Sequence, residues 1–176
     1  GYGIVYPSKK DIVFEEPKMY KQGDEIKSRA PVYLSALYLL RYADEYDFIQ
    51  LDEGNQYTVS GENMLKIIHN LVGDYDISFE EYINDGTNIH YDADTDTVTV
   101  LLGTDYWGGG MFYLDNDSEM TFTRSGDTVK ADVTVVQWFE IGSDETVSFK
   151  YEYTFDRIED DGHIYYRIVS IEPSKA

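Results

Sequence analysis

The sequence predicts an α+β domain in which N-terminal helices pack on a curved antiparallel β-sheet meander. Three observations carry that expectation. Apolar residues recur at helical spacing in two stretches between Ser28 and Val72; from Asn88 onward the repeat falls to two; and short runs of Asp, Asn, Gly and Ser punctuate the later segments. Helices first and strands afterwards is the order of an α+β fold, with a long helix covering one face of a twisted sheet.

Residues 1–27 hold two of the four prolines and no sustained period, so they read as an extended arm ahead of a single domain over 28–176. In "SRAPVYLSALYLLRYADEYDFIQ", Ser28 is placed to cap a long buried helix and Pro31 suits its first turn. Val32, Tyr33, Ala36, Leu37, Leu39, Leu40 and Ala43 form its broad apolar face. A short β-like "YTV" follows. Ser60 then caps a second helix with Met64, Leu65, Ile67, Ile68, Leu71 and Val72 on one side, and Gly73 ends it. "SFEEYINDG" offers a capping box, Ser78 with Glu81, for a short third helix closed by Gly86. In "VSFKYEYTFD", Val147, Phe149, Tyr151, Tyr153 and Phe155 alternate with polar residues, the pattern of a strand with one face on a core. Segments 97–102, 111–114, 119–124, 128–139 and 164–171 read the same way.

The chain has 176 residues, a length at which one core suffices, and 42% hydrophobic residues, a folding composition despite its charge. Its 17 tyrosines suit half-buried pleated surfaces with the hydroxyl in water. The formal charge is -20, and no Lys or Arg occurs between Lys66 and Arg124. Such a field repels nucleic acid and anionic lipid surfaces. With no cysteine there is no disulfide, thiol catalysis or Cys-ligated zinc. No apolar run is long enough to be a transmembrane segment. The chain opens on Gly1 and not on Met, which suggests a removed leader and an extracytoplasmic, secreted or surface-tethered protein such as a lipoprotein.

The element order, ending in the hairpin "YTFDRIEDDGHIYYRIVSIEP", resembles the nuclear transport factor 2-like or cystatin-like arrangement of secreted gut-bacterial proteins, over about residues 28–173. It departs from that pattern in lacking an identifiable helix after the first strand. The resemblance implies a pocket between helix and concave sheet that binds a small ligand, hosts an isomerase or dehydratase, or stays empty. Function is therefore left open by fold.

Few residues look like chemistry. In "IHYDADTDTVTV", Asp92, Asp94 and Asp96 have the spacing of the opening ligands of a calcium loop, but the Gly and Glu that such a loop requires are replaced by Thr97 and Gly103. The stretch reads as a β-hairpin turn. His69 falls on the polar side of its helix and His163 in an exposed tight turn. His90, between Ile89 and Tyr91, is the one histidine that could act as a general base, with an acid such as Asp105. "GTDYWGGGMFY" sets Tyr106 and Trp107 among four glycines, either as an exposed aromatic pair for a glycan or partner chain, or as a bulged strand with Trp107 in the core. Trp138 lies where the apolar register shifts, a place where a bulge aims a ring at a pocket. No cofactor or metal motif occurs.

These features lead to an expectation of a binding or interaction module without catalytic activity. Its small molecule or glycan would sit between helix and sheet or at Tyr106, Trp107, Trp138 and His90. The alternatives are a small pocket enzyme, an isomerase, dehydratase or hydrolase using a His/Asp pair, and a calcium-stabilised surface protein.

Overall fold

The computed structural model describes residues 20–24, 29–52, 56–82, 89–101, 112–114, 120–138 and 146–174, which form an α+β structure of two helices and two antiparallel sheets. No described helix is long and apolar enough to cross a membrane.

The first helix, α1 (Arg29–Tyr42), accepts Pro31 in its first turn, where a missing N–H breaks no hydrogen bond. Val32, Ser35, Ala36 and Leu39 follow at helical spacing and are wholly buried. The apolar face is narrower than the sequence suggests: Tyr33 is exposed, and Leu37 and Leu40 are half-buried. The helix stops at Tyr42 and tightens into a 3-10 turn over Ala43–Glu45. Asp44 and Glu45 would oppose the negative end of the helix dipole, which favours this early stop.

The second helix, α2 (Gly61–Val72), begins as expected: Ser60 Oγ accepts from the Asn63 N–H at 3.2 Å. It ends at Gly73, whose φ of 100° is open to glycine and whose N–H donates to His69 O. Met64, Ile67, Ile68, Leu71 and Val72 are buried, whereas Leu65, assigned from sequence to the same side, is 42% exposed. The third helix is only a 3-10 turn, Phe79–Tyr82. Phe79 enters the core beside the Tyr91 ring and pins the segment there. Ser28 and residues 83–88, Gly86 among them, lie outside the described residues.

The smaller sheet comprises β2 (Gln50–Asp52), β3 (Gln56–Ser60), β4 (Ile89–Asp92) and β5 (Thr97–Leu101) in the order β2-β3-β5-β4. The larger holds β1 (Tyr20–Lys21), β6 (Phe112–Leu114), β7 (Thr121–Ser125), β8 (Thr128–Trp138), β9 (Thr146–Asp160) and β10 (His163–Pro173), in the order β1-β10-β9-β8-β6. β7 shares an edge of β8 with β6, one pairing with each half of that long strand. Asp161 and Gly162, at φ 53° and 80°, make the two-residue turn of the β9–β10 hairpin, a backbone form that matches the twist of the flanking strands. At a bulge after Ile168, Val169 O accepts from Gln22 N and β1 joins the edge.

The single meander expected from the period-two pattern is thus divided between two sheets. The division follows from β3, which precedes α2 in the chain yet pairs along its whole length with β5. Periodicity marks a strand but not its partner.

One cluster of buried side chains joins α1, α2, the inner face of β3, β4 and β5, Phe79, Tyr46 and Tyr165 of β10. Tyr57 pairs with Val100 and Val59 with Val98, which places four buried side chains on one face of the smaller sheet. The Tyr57 hydroxyl donates to Ala36 O at 2.7 Å, so its burial leaves no polar atom unpaired. α2 also lies against β10, and Ala131, Val133, Val136 and Tyr151 are buried outside this cluster.

Gly61 sits where the β4–β5 turn crosses the start of α2. Its N–H donates to Asp96 O at 2.8 Å, and a Cβ there would collide with the Asp96 carboxylate. Alanine normally favours a helix over glycine. Here Gly61→Ala is expected to destabilise by about 1–3 kcal/mol, through overpacking. In an Asp96→Gly background the same substitution should cost little, because the clash is gone and Asp96, at φ 48°, occupies a glycine-compatible conformation. Thermal unfolding of the four proteins measures the coupling; equal costs in both backgrounds would exclude the contact as the cause.

Candidate functional site

Two grooves flank α1, and they share Tyr38 as a wall or neighbour. The polar one, about 230 Å³, is lined by Glu45, Tyr46, Asp47, Phe48, Lys66, Ile67, Asp161, His163 and Tyr165. Its groups converge from the turn after α1, from α2 and from the β9–β10 tip. The Tyr46 hydroxyl donates to Tyr165 at 3.0 Å and lies 3.0 Å from the Tyr38 hydroxyl, and the His163 ring stacks on Tyr46 with centroids 4.5 Å apart. His163 is therefore half-buried against an aromatic ring, contrary to the exposed turn position expected.

Lys66 Nζ lies 3.4 Å from Asp160 and 3.5 Å from Asp161, and Asn70 donates to Asp160 at 2.8 Å. The Asn70 hydrogen bond, opposed by partial burial and aided by Lys66, holds the Asp160 carboxyl below its ordinary range. Burial pulls the Lys66 ammonium down, but Asp160 and Asp161 outweigh it and the net direction is up. Burial, reinforced by the hydroxyl bonds, drives Tyr46 well above the ordinary phenol range. The three phenols are thus bonded to one another, Lys66 and Asn70 are tied to Asp160 beside them, and both sets hold separate elements together.

The second groove is apolar, about 300 Å³, between α1 and the β9–β10 hairpin. Leu34, Leu37, Tyr38, Arg41 and Tyr42 line it from α1, Leu71 from α2, Phe155 from β9, and Tyr166 and Ile168 from β10. It exists because α1 carries a second apolar row, Leu34, Leu37, Tyr38 and Arg41 at helical spacing, beside the row that enters the core. On the hairpin, Phe155 is paired with Ile168, and Tyr166 falls on the same face two residues away. The Arg41 guanidinium is 5.9 Å from the Tyr42 ring, and the Tyr38 and Tyr42 rings lie 4.8 Å apart. Arg41 is the one charged residue in this lining, and the rest is aliphatic or aromatic.

The residues singled out from sequence are not gathered here. Tyr106, Trp107 and Asp105 lie outside the described residues, as does the side chain of Trp138, whose backbone pairs with Thr146 at the end of β8. His90 is exposed on β4 opposite Thr99. Asp92 and Asp96 belong to the turn of the β4–β5 hairpin: Asp92 Oδ1 accepts from Asp94 N, and Asp96 Oδ1 accepts from the Tyr91 hydroxyl. Among the described residues no three His, Asp or Glu side chains are grouped as metal binding requires. Sequence reasoning did not find the apolar groove. Its one signal was Arg41, a cation inside an apolar helical row; the row's excess width gave no sign of which part stays uncovered.

The pKa directions set expectations at both ends of the pH scale. Tyr46 and Tyr57 are both raised by burial, so the stability they confer is complete below the ordinary phenol pKa of about 10 and is lost as pH rises through their folded values. An absorbance titration should show exposed tyrosines ionising first and a late group ionising together with loss of circular dichroism. Tyr57→Phe should shrink the late group. Asp160 is lowered, so its contribution is present above its unfolded pKa of about 3.9 and fades as pH falls through the folded value. Because both partners are substantially exposed, Asp160→Asn is expected to cost less than about 1 kcal/mol at pH 7 and to flatten the acid limb of the stability curve. An unchanged acid limb would show that this carboxylate is not coupled to folding.

No protein-family model, curated protein or solved structure matches this chain, so its own geometry has to carry any assignment of function.

Proposed function

We propose that this chain is a binding or interaction module without catalytic activity, holding a small molecule in the groove between α1 and the β9–β10 hairpin. The observation behind this is the contrast between the grooves. At the polar one, the Tyr46 hydroxyl bonds to those of Tyr38 and Tyr165, and Lys66 pairs with Asp160 and Asp161. In the apolar one, half-buried Leu34, Leu37, Phe155 and Ile168 face a space of about 300 Å³. Apolar walls left open gain free energy when a ligand displaces water from them, roughly 25 cal/mol per Å² covered. The same proposal takes the fold as a variant of the nuclear transport factor 2-like or cystatin-like arrangement, supported by helices set against a long antiparallel hairpin. The separate four-stranded sheet is a departure from it. A catalyst built on His90 is not favoured, since that side chain is exposed on β4.

Methyl-resolved nuclear magnetic resonance with short-chain alcohols and phenyl fragments tests the site. Shift changes are expected at Leu34, Leu37, Leu71 and Ile168, and Leu37→Trp, which fills the groove, should abolish them while the protein still unfolds cooperatively. Changes confined to other surfaces, or binding that survives Leu37→Trp, would reject the groove as the site.

A further inference from the structure

We propose that the groove selects an aliphatic monocarboxylate, with the chain lying along Leu34, Leu37 and Ile168 and the carboxylate meeting Arg41, a specificity that rests on the binding function proposed above. Arg41 is the one charged residue among those lining the groove. It is exposed, contacts the Tyr42 ring, and has no carboxylate within ion-pair distance among the described residues.

The neighbouring charges do not replace it. Arg157, further along the hairpin, lies 3.6 Å from Glu159, so the two largely cancel. Asp44 and Glu45 follow Arg41 within a turn of chain, but neither forms an ion pair with it. The remaining negative charge of the molecule acts from farther away and is screened over about 10 Å at 0.1 M salt. Arg41 thus sets a guanidinium at one side of an apolar trough. A guanidinium is suited to that end because its planar fork donates two parallel hydrogen bonds to a carboxylate.

The groove, about 300 Å³, is at the small end of ligand sites, which calls for a short chain such as one of about eight carbons. A charged head at one end and hydrocarbon along the rest matches a lining with a single charged residue.

Calorimetric titration of the whole chain with octanoate, 1-octanol and octyltrimethylammonium, at low and high salt, separates the possibilities. The expected result is octanoate binding about tenfold more tightly than octanol at low salt, a gap of the size that one charge-assisted hydrogen-bonded pair supplies. The gap should narrow at high salt. Arg41→Gln should abolish the gap between octanoate and octanol, with cooperative thermal unfolding showing that the variant is folded. Equal binding of octanoate and octanol to the native chain, or preference for the ammonium, would overturn the carboxylate specificity while leaving the groove as a binding site. No binding of any of the three would overturn both.

Discussion

Tyr46 and Tyr165 are 119 positions apart in the chain, yet their hydroxyls meet at 3.0 Å in the interior, and Tyr38 adds a third phenol beside them. This contact fixes the turn after α1 to the tip of the β9–β10 hairpin. A net stabilisation of about 1 kcal/mol per hydrogen bond is modest, but a buried hydroxyl left without its partner would forfeit more than that. The rings contribute area burial, and the hydroxyls dictate the one arrangement in which that burial leaves no polar atom stranded. Both grooves are consequences of it, because each is a gap between α1 or its following turn and the hairpin held alongside.

The same constraint explains why the grooves differ. Beside the phenols, Lys66 and Asn70 reach Asp160 and Asp161, and these contacts form a strut between α2 and the hairpin tip. Away from the phenols, the second row of α1 faces Phe155, Tyr166 and Ile168 with space between them. Polar groups that pair internally stabilise the fold and have little left for a ligand. Apolar groups that do not close on one another keep their hydration free energy available for binding.

Some of the site was readable in advance and some was not. Alternation along β9 identified Phe155 as a residue of the apolar face, and the width of the α1 face was visible in its leucines and tyrosines. The role of His163 was not visible, since its stacking partner Tyr46 stands on the far side of the chain and nothing near "EDDGH" announces it. The aspartates of the β4–β5 turn show the reverse case. Asp92 and Asp96 bond to groups within a few residues of themselves, so local sequence was enough to read them as a turn.

What the sequence determined by itself is what depends on near neighbours: the Ser60 cap and Gly73 stop of α2, the positions of β5 to β10, the tight turns between strands, and the α+β class. Each follows from backbone preferences or from a period that can be counted along the chain. Only tertiary structure decided the pairing of β3 with β5, the division into two sheets, and which apolar row meets the core and which borders a groove. Those outcomes depend on contacts between residues far apart in the chain, and a single side chain's polarity cannot specify which distant partner will cover it.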